Sequence, residues 1–346
     1  MRLGVLTGGG DCPGLNAAIR AVVRRAEQQG HDVLGIRDGW RGVMDADASQ
    51  LSWSDVRDIL ALGGTILGSS RTNPARDPAE LRHAGEQLDR MGIEGLITIG
   101  GDDTLSVAAA LTDAGKRVVG IPKTLDNDVW GTEGCIGFNT AASIAMEAID
   151  RLRTTAASHH RVMVVEVMGR EAGWIATASG LAGGAEEVIV PEHPFQDAPF
   201  MARLTARARA GLASVVVVAE GVRLPERVPA GVGGGDEIDA KDQFGHARLA
   251  SRSVGETLSR WIEERTGLET RATVLGHLVR GGAPSLTDRL LATRYGVAAV
   301  DLASEGRWGL MVALRGSSIG EVPLREVAGR TRGVDGQFTE LAAIFT

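Results

Sequence analysis

Gly100-Gly101-Asp102-Asp103-Thr104 and Pro122-Lys123-Thr124-Leu125-Asp126-Asn127-Asp128 hold the densest chemistry in this chain. Each follows an apolar run, as a loop at the carboxyl end of a buried strand does. Together they bring four carboxylates, one lysine and a glycine pair into one expected cleft. Those groups equip a phosphoryl-transfer site, where charge must be neutralised and a hydroxyl deprotonated. Asp102 is the candidate ligand for Mg2+, a hard cation that prefers oxygen. Asp126 fits the base that accepts the hydroxyl proton, with Asp128 supporting it or the metal. Lys123 offers a point charge to a phosphate. Plainer readings also fit: Asp102 and Asp103 as caps of a helix starting at Thr104, and residues 124–128 as an Asx-rich turn.

A third segment, Thr7-Gly8-Gly9-Gly10-Asp11-Cys12-Pro13-Gly14, joins an apolar run to an amphipathic stretch. Successive glycines let backbone N–H groups face an anion at a helix start. No Gly-Lys-Ser/Thr follows, so this is not a P-loop, and it is not a clean dinucleotide fingerprint. A phosphate cradle and a tight strand–helix turn both remain open. Cys12, near a helix start, fits either a thiol of lowered pKa or a small structural residue.

The elements that must position these loops alternate. Apolar runs at 3–7, Asp32–Ile36, 96–99 and 118–121 are interleaved with helical stretches at 15–29 and 104–114. The rhythm predicts a mainly parallel sheet with helices on both faces. Right-handed crossovers place all three loops at the carboxyl edge, where such sheets bind ligands. The pattern recurs with Val162–Val167, a helix over 171–182, runs at 187–190, Ser214–Ala219 and 273–275, so a second α/β layer is expected. The glycine-rich stretch 225–245 reads as a surface loop.

At 346 residues the chain is long enough for two domains. Hydrophobic content of 43% and charged content of 23% are those of a globular protein. A net charge of −7 without a basic stripe argues against nucleic acid as a partner. No run approaches the roughly 20 apolar residues of a membrane span, and residues 1–7 are too short and strand-like for a signal peptide. Two cysteines, Cys12 and Cys135, give no disulfide framework. The expected location is cytoplasmic.

In order along the chain, Gly-Gly-Gly-Asp-Cys-Pro-Gly-Leu-Asn at 8–16, Leu-Gly-Ser-Ser-Arg at 67–71, the two opening segments, Met-Gly-Arg at 168–170, Glu-Gly-Val at 220–222 and Arg-Ala-Thr-Val-Leu-Gly-His…Arg-Gly-Gly at 271–282 resemble the 6-phosphofructokinase family. The resemblance implies two Rossmann-like three-layer domains with the active site in the cleft between them. Residues 1–137 plus about 254–302 would bind the phosphate donor and Mg2+. Residues 138–253 plus 303–346 would bind fructose 6-phosphate. Gly10 and Arg71 would lie against the donor, with Asp102 on Mg2+ and Asp126 as the base beside Thr124. Met168, Gly169, Arg170 and Glu220 would grip the sugar, and His277 and Arg280 its 6-phosphate. Arg161 and Arg271 would reach that phosphate from a neighbouring subunit of a homodimer or homotetramer. Without the ordered match, Arg161 and Arg271 read as surface charges and His277 as a core histidine.

Asp103 and Lys123 stand where the ATP-using branch usually has glycine, which resembles the pyrophosphate-dependent branch. A carboxylate at 103 would fill and repel the space of a nucleotide α-phosphate, while Lys123 would stabilise the leaving phosphate. The expected reaction is reversible Mg2+-dependent transfer from pyrophosphate to fructose 6-phosphate, in glycolysis or gluconeogenesis. An ATP-dependent enzyme, a silent sugar-phosphate-binding regulatory subunit, and a dinucleotide or lipid kinase are the competing readings. Arg20, Arg24 and Arg153 match positions that bind nucleotide effectors in allosteric bacterial members. The basic strand-end pair of those enzymes has no clear counterpart near 222–230, so effector control is doubtful.

Overall fold

The computed structural model describes residues 1–225 and 253–345, so most of the expected 225–245 loop lies outside the described residues. In chain order the strands are β1 (Arg2–Thr7), β2 (Asp32–Ile36), β3 (Ala48–Leu51), β4 (Gly95–Gly100), β5 (Val118–Thr124), β6 (Ile136–Gly137), β7 (Val162–Val167), β8 (Glu187–Ile189), β9 (Ser214–Ala219), β10 (Thr270–Val274), β11 (Leu310–Arg315) and β12 (Ser318–Pro323). The helices are α1 (Leu15–Gln28), α2 (Trp40–Asp45), α3 (Trp53–Val56), α4 (Pro78–Arg90), α5 (Asp102–Asp113), α6 (Phe138–His159), α7 (Trp174–Ala182), α8 (Asp197–Arg209), α9 (Val254–Thr266), α10 (Leu286–Ser304), α11 (Leu324–Val327) and α12 (Gly336–Phe345).

The chain divides into two compact units, Met1–Thr140 with Arg280–Arg332 and Ala141–Val279 with Gly333–Thr346. This differs from the expected division at both later boundaries. Residues 254–279 fall in the second unit because β10 pairs in parallel with β7. Residues 303–332 fall in the first because β11 pairs in parallel with β5.

The first unit holds a sheet of order β12-β11-β5-β4-β1-β2-β3, with β6 paired to β5. Only β3 and β12, at its edges, run antiparallel to their neighbours. Its inner strands are apolar on both faces, Leu3, Val5 and Leu6 being fully buried, which is why they read as unbroken hydrophobic runs. The chain leaves β1 toward β2 and leaves β4 toward β5, in opposite directions across adjacent strands. Right-handed crossovers then put α1 and α5 on opposite faces, opening a crevice beyond the carboxyl ends of β1 and β4.

Beneath this edge Asp288, fully buried at the start of α10, accepts the N–H groups of Gly137 (2.9 Å) and Thr140 (2.8 Å) and the Thr140 hydroxyl. Replacing Asp288 by Ala leaves three buried donors unpaired. The expected loss is about 3 kcal/mol of unfolding free energy, read from urea denaturation. Asn, which keeps one acceptor oxygen, should lose less.

The second unit holds an all-parallel sheet of order β10-β7-β9-β8. Val164, Val165, Val216, Val217 and Val218 are completely buried along its two central strands.

Candidate active site

Strand register sets the first group of residues. Thr7 pairs with Ile99 and Gly100 with Pro122, so β1, β4 and β5 end side by side. The opening motifs sit slightly differently from the loops expected. The helix after β4 begins at Asp102, with Gly101 at its cap, so Asp102 and Asp103 form the first turn of α5. There the helix dipole and unpaired N–H groups favour negative charge. Lys123 and Thr124 are still strand residues, the last two of β5.

Thr104 ties two of the loops together. A Cβ on Gly8 would meet its hydroxyl at 2.4 Å, and one on Gly100 would meet its Cβ at 2.3 Å, so both positions must stay bare. The Gly8 N–H donates to Ile99 O (2.9 Å) and the Gly9 N–H to Ser70 O (3.3 Å). The Ser69 hydroxyl donates to Gly9 O. Arg71, exposed, follows this strap directly.

Lys123 is 3% exposed and its Nζ donates to Gly10 O at 2.6 Å. Arg280 donates to Asp11 O (3.0 Å), and its head lies where a Cβ on Gly10 would be, 2.6 Å away. Arg280, expected on the sugar 6-phosphate, thus lies against the glycine loop of the first unit. Lys123 and Arg280 bring two cations to a backbone loop that is itself rich in N–H groups.

Burial lowers the Lys123 pKa from its ordinary 10.5, and the Arg280 charge lowers it further. A buried ammonium is unfavourable in the free chain, so this group's contribution to stability rises as pH climbs from its folded value toward 10.5. An anion prefers the protonated form. The apparent Kd for a phosphate anion at this loop should therefore begin to rise at a pH below that of an ordinary lysine. Lys123→Met should flatten that limb in a Kd–pH series, whereas the anion's own titration persists in both proteins.

Cys12 settles as the structural residue. Its thiol donates to Ile136 O (3.3 Å), and burial pushes its pKa up to about 12. Beyond β5, the Asp126 N–H donates to the Thr124 hydroxyl (3.1 Å). Asn127 takes a positive φ of 53°, and its Oδ1 accepts the Cys135 N–H at 2.9 Å. The Arg332 N–H donates to Asp128 O (2.7 Å) and the Gly329 N–H to Asp102 Oδ1 (3.0 Å). The segment after α11 thus braces both carboxylate loops, which no local motif in 327–332 announces. Asp288 did carry a signal, the Ser285-Leu286-Thr287-Asp288 capping pattern.

Among the described residues no group of three or more His, Cys, Asp or Glu could by itself hold a metal ion. Mg2+ needs no such cage. It is commonly held by one or two carboxylates together with phosphate oxygens and water. Asp102, with Asp103 beside it at the sheet edge, fits that requirement.

In the second unit the residues after β7 and β9 meet. The Glu220 N–H donates to Val167 O (2.9 Å) and the Gly221 N–H to Gly169 O (3.0 Å). A Cβ on Gly221 would stand 1.9 Å from Arg170 O, so the two loops touch only because residue 221 is glycine. Met168 is buried, while Arg170 and Glu220 are half-buried at this strand edge. Arg161 and Arg271 both pair with Glu269, at 2.7 and 2.6 Å. His277 lies in a 3-10 turn over Gly276–Arg280 and is exposed, unlike a core histidine.

Arg20, Arg24 and Arg153, at positions matching effector contacts of allosteric members, have partners inside the chain. Arg20 and Arg24 lie over the Trp53 ring, 4.7 and 5.1 Å from its centroid. Arg153 pairs with Glu186 (3.0 Å) and donates to Gly183 O (3.0 Å), closing the end of α7.

The model of the phosphofructokinase family matches residues 2–303. The chain belongs to the phosphofructokinase family. It is 52% identical over 350 residues to a pyrophosphate–fructose 6-phosphate 1-phosphotransferase of Streptomyces coelicolor, covering 100% of this chain and 99% of that protein. It is 46% identical over 347 residues to ATP-dependent 6-phosphofructokinase 3 of the same organism, covering 99% of this chain and 100% of the other. A solved structure of a pyrophosphate-dependent phosphofructokinase from Marinobacter aquaeolei superposes with a TM-score of 0.82 at 25% identity, over 97% of this chain and 86% of that one.

Proposed function

We propose that this enzyme transfers a phosphoryl group reversibly between pyrophosphate and the 1-hydroxyl of fructose 6-phosphate. The observation that carries the reading is the presence, after the adjacent strands β4 and β5, of Asp103 in the first turn of α5 and of buried Lys123 on the Gly10 carbonyl. The carboxylate narrows the room that a nucleotide α-phosphate would need, and the ammonium faces a donor made of phosphate alone. The 52% identity to a protein named for that reaction supports it.

In the forward direction the 1-hydroxyl oxygen attacks the nearer phosphorus while its proton passes to Asp126. The P–O bond to the bridging oxygen breaks, and its electron pair leaves with phosphate. Lys123 stabilises that leaving charge, with Arg71 on the transferring group. Thr124 holds the Asp126 backbone. Mg2+ held by Asp102 would supply positive charge to the phosphate oxygens. Met168, Gly169, Arg170 and Glu220 bind the sugar, and His277 and Arg280 its 6-phosphate.

Arg161 and Arg271 would serve that phosphate in a partner subunit of a homo-oligomer, exchanging Glu269 for it. The chain would act in the cytoplasm, in glycolysis or gluconeogenesis. An ATP-dependent enzyme is the second reading, favoured by the 46% identity to a protein so named.

The reverse reaction separates them. Supplied with Mg2+, fructose 1,6-bisphosphate and phosphate, the enzyme should form pyrophosphate and fructose 6-phosphate without any nucleotide. A reverse reaction that runs only with ADP would overturn the proposal.

A further inference from the structure

The loop 168–173, which presents Arg170, is fixed at one end by β7 and at the other by the first turn of α7. That second end is held by residues far away in sequence. Both carboxylate oxygens of Glu192 accept the Gly173 N–H, at 2.9 and 3.1 Å. Glu192 Oε1 also accepts the N–H of Val334, at 3.0 Å. Four residues beyond Val334, Phe338 of α12 meets Trp174 edge to face, with centroids 5.6 Å apart and planes at 72°. Trp174 is the first residue of α7 and only 3% exposed.

These contacts favour one conformation for chemical reasons. A carboxylate at a helix N-terminus is stabilised by the dipole and by the N–H groups that lack partners within the helix. An edge-to-face aromatic pair adds directional attraction beyond its buried area. The space is already full: a Cβ on Gly173 would meet Val190 at 2.4 Å and Glu192 Oε2 at 3.0 Å. The 333–338 segment therefore bears on the turn that follows Arg170, whereas the glycine loop of the first unit receives none of these contacts.

We propose that Glu192 and Phe338 are positioning residues for the sugar-phosphate loop, so that the carboxyl-terminal segment sets how well Arg170 meets fructose 6-phosphate. The inference rests on the sugar-binding role given above to Met168, Gly169 and Arg170. It predicts a selective defect, since neither residue reaches the donor loop.

The test uses the full-length chain with Phe338→Ala, Glu192→Ala and the conservative Phe338→Tyr. Misplacing a binding loop by a fraction of an ångström should raise KM for fructose 6-phosphate about 10-fold. KM for pyrophosphate should stay near that of the parent, and Phe338→Tyr, which keeps the ring, should restore the sugar KM. Unchanged sugar KM in both alanine variants would overturn the proposal. So would a loss of activity that tracks only the unfolded fraction in urea, with both KM values intact.

Calorimetric titration with fructose 6-phosphate alone separates this inference from the functional reading. If the parent does not bind the sugar phosphate, the functional reading fails. If the parent binds it and the alanine variants bind equally well, the positioning role fails.

Discussion

Asp126→Asn is expected to lower kcat by about 10^3-fold while leaving KM for fructose 6-phosphate within a few-fold of the parent. The amide keeps the size and shape of the carboxylate but cannot accept the hydroxyl proton. The backbone at 126 should survive the change, because its restraints lie elsewhere. Its N–H is held by Thr124, and the left-handed turn at Asn127 is closed by Cys135 and Glu133. A loss confined to kcat would place the proton at Asp126. Undiminished kcat in steady-state assays would remove Asp126 from the chemistry and leave the loop an ordinary Asx turn.

The second large effect is expected at the donor pair. Lys123→Met fills the same buried volume without charge, so the fold should persist while kcat with pyrophosphate falls by about 10^2- to 10^3-fold. The leaving phosphate then departs without the cation that rests on Gly10 O in the free enzyme. Asp103→Gly acts on selectivity rather than on charge neutralisation. It removes a carboxylate from the first turn of α5, and the ratio of ATP to pyrophosphate turnover should rise at least about 10-fold. Initial-rate assays with each donor on both variants check the pair. If Asp103→Gly leaves the ratio unchanged, residue 103 does not select the donor.

What the sequence disclosed follows the range of the interactions concerned. β2, β7 and β9 appear where the sequence places Asp32–Ile36, Val162–Val167 and Ser214–Ala219. Parallel strands buried on both faces leave continuous β-branched runs. α4 escaped that reading although Asp77 caps it and Pro78 opens it, because its apolar stripe is interrupted by charged residues. The β11–β12 hairpin lies in the first compact unit, where the sequence reading expected it in the second. Its membership depends on the pairing of Leu310 with Val119 and Met311 with Gly120 of β5, a long-range contact that no local pattern encodes.

The site divides in the same way. Asp102, Lys123 and Asp126 stood out as candidates from chemistry alone, because carboxylates and a lysine are gathered there directly after buried strands. Arg170, Glu220 and His277 became candidates only through the ordered family resemblance. Arg280 was given by that resemblance to the sugar 6-phosphate; its contact with Asp11 O joins it to the first loop across 269 residues, which no local pattern announces. The clamp on Gly173 by Glu192 and the brace of Arg332 on the Asp128 loop were silent, since the first joins a side chain and the second a backbone N–H to a backbone group outside its own motif.

The central claim is that Asp103 and Lys123 make the donor site one for pyrophosphate. It is tested most directly by measuring kcat/KM with fructose 6-phosphate and Mg2+ for pyrophosphate and for ATP, side by side on the same preparation. The account predicts turnover with pyrophosphate and a kcat/KM for ATP lower by at least about 10^2-fold, the scale of a charge clash in a desolvated site. Turnover with ATP at equal or greater kcat/KM would contradict it.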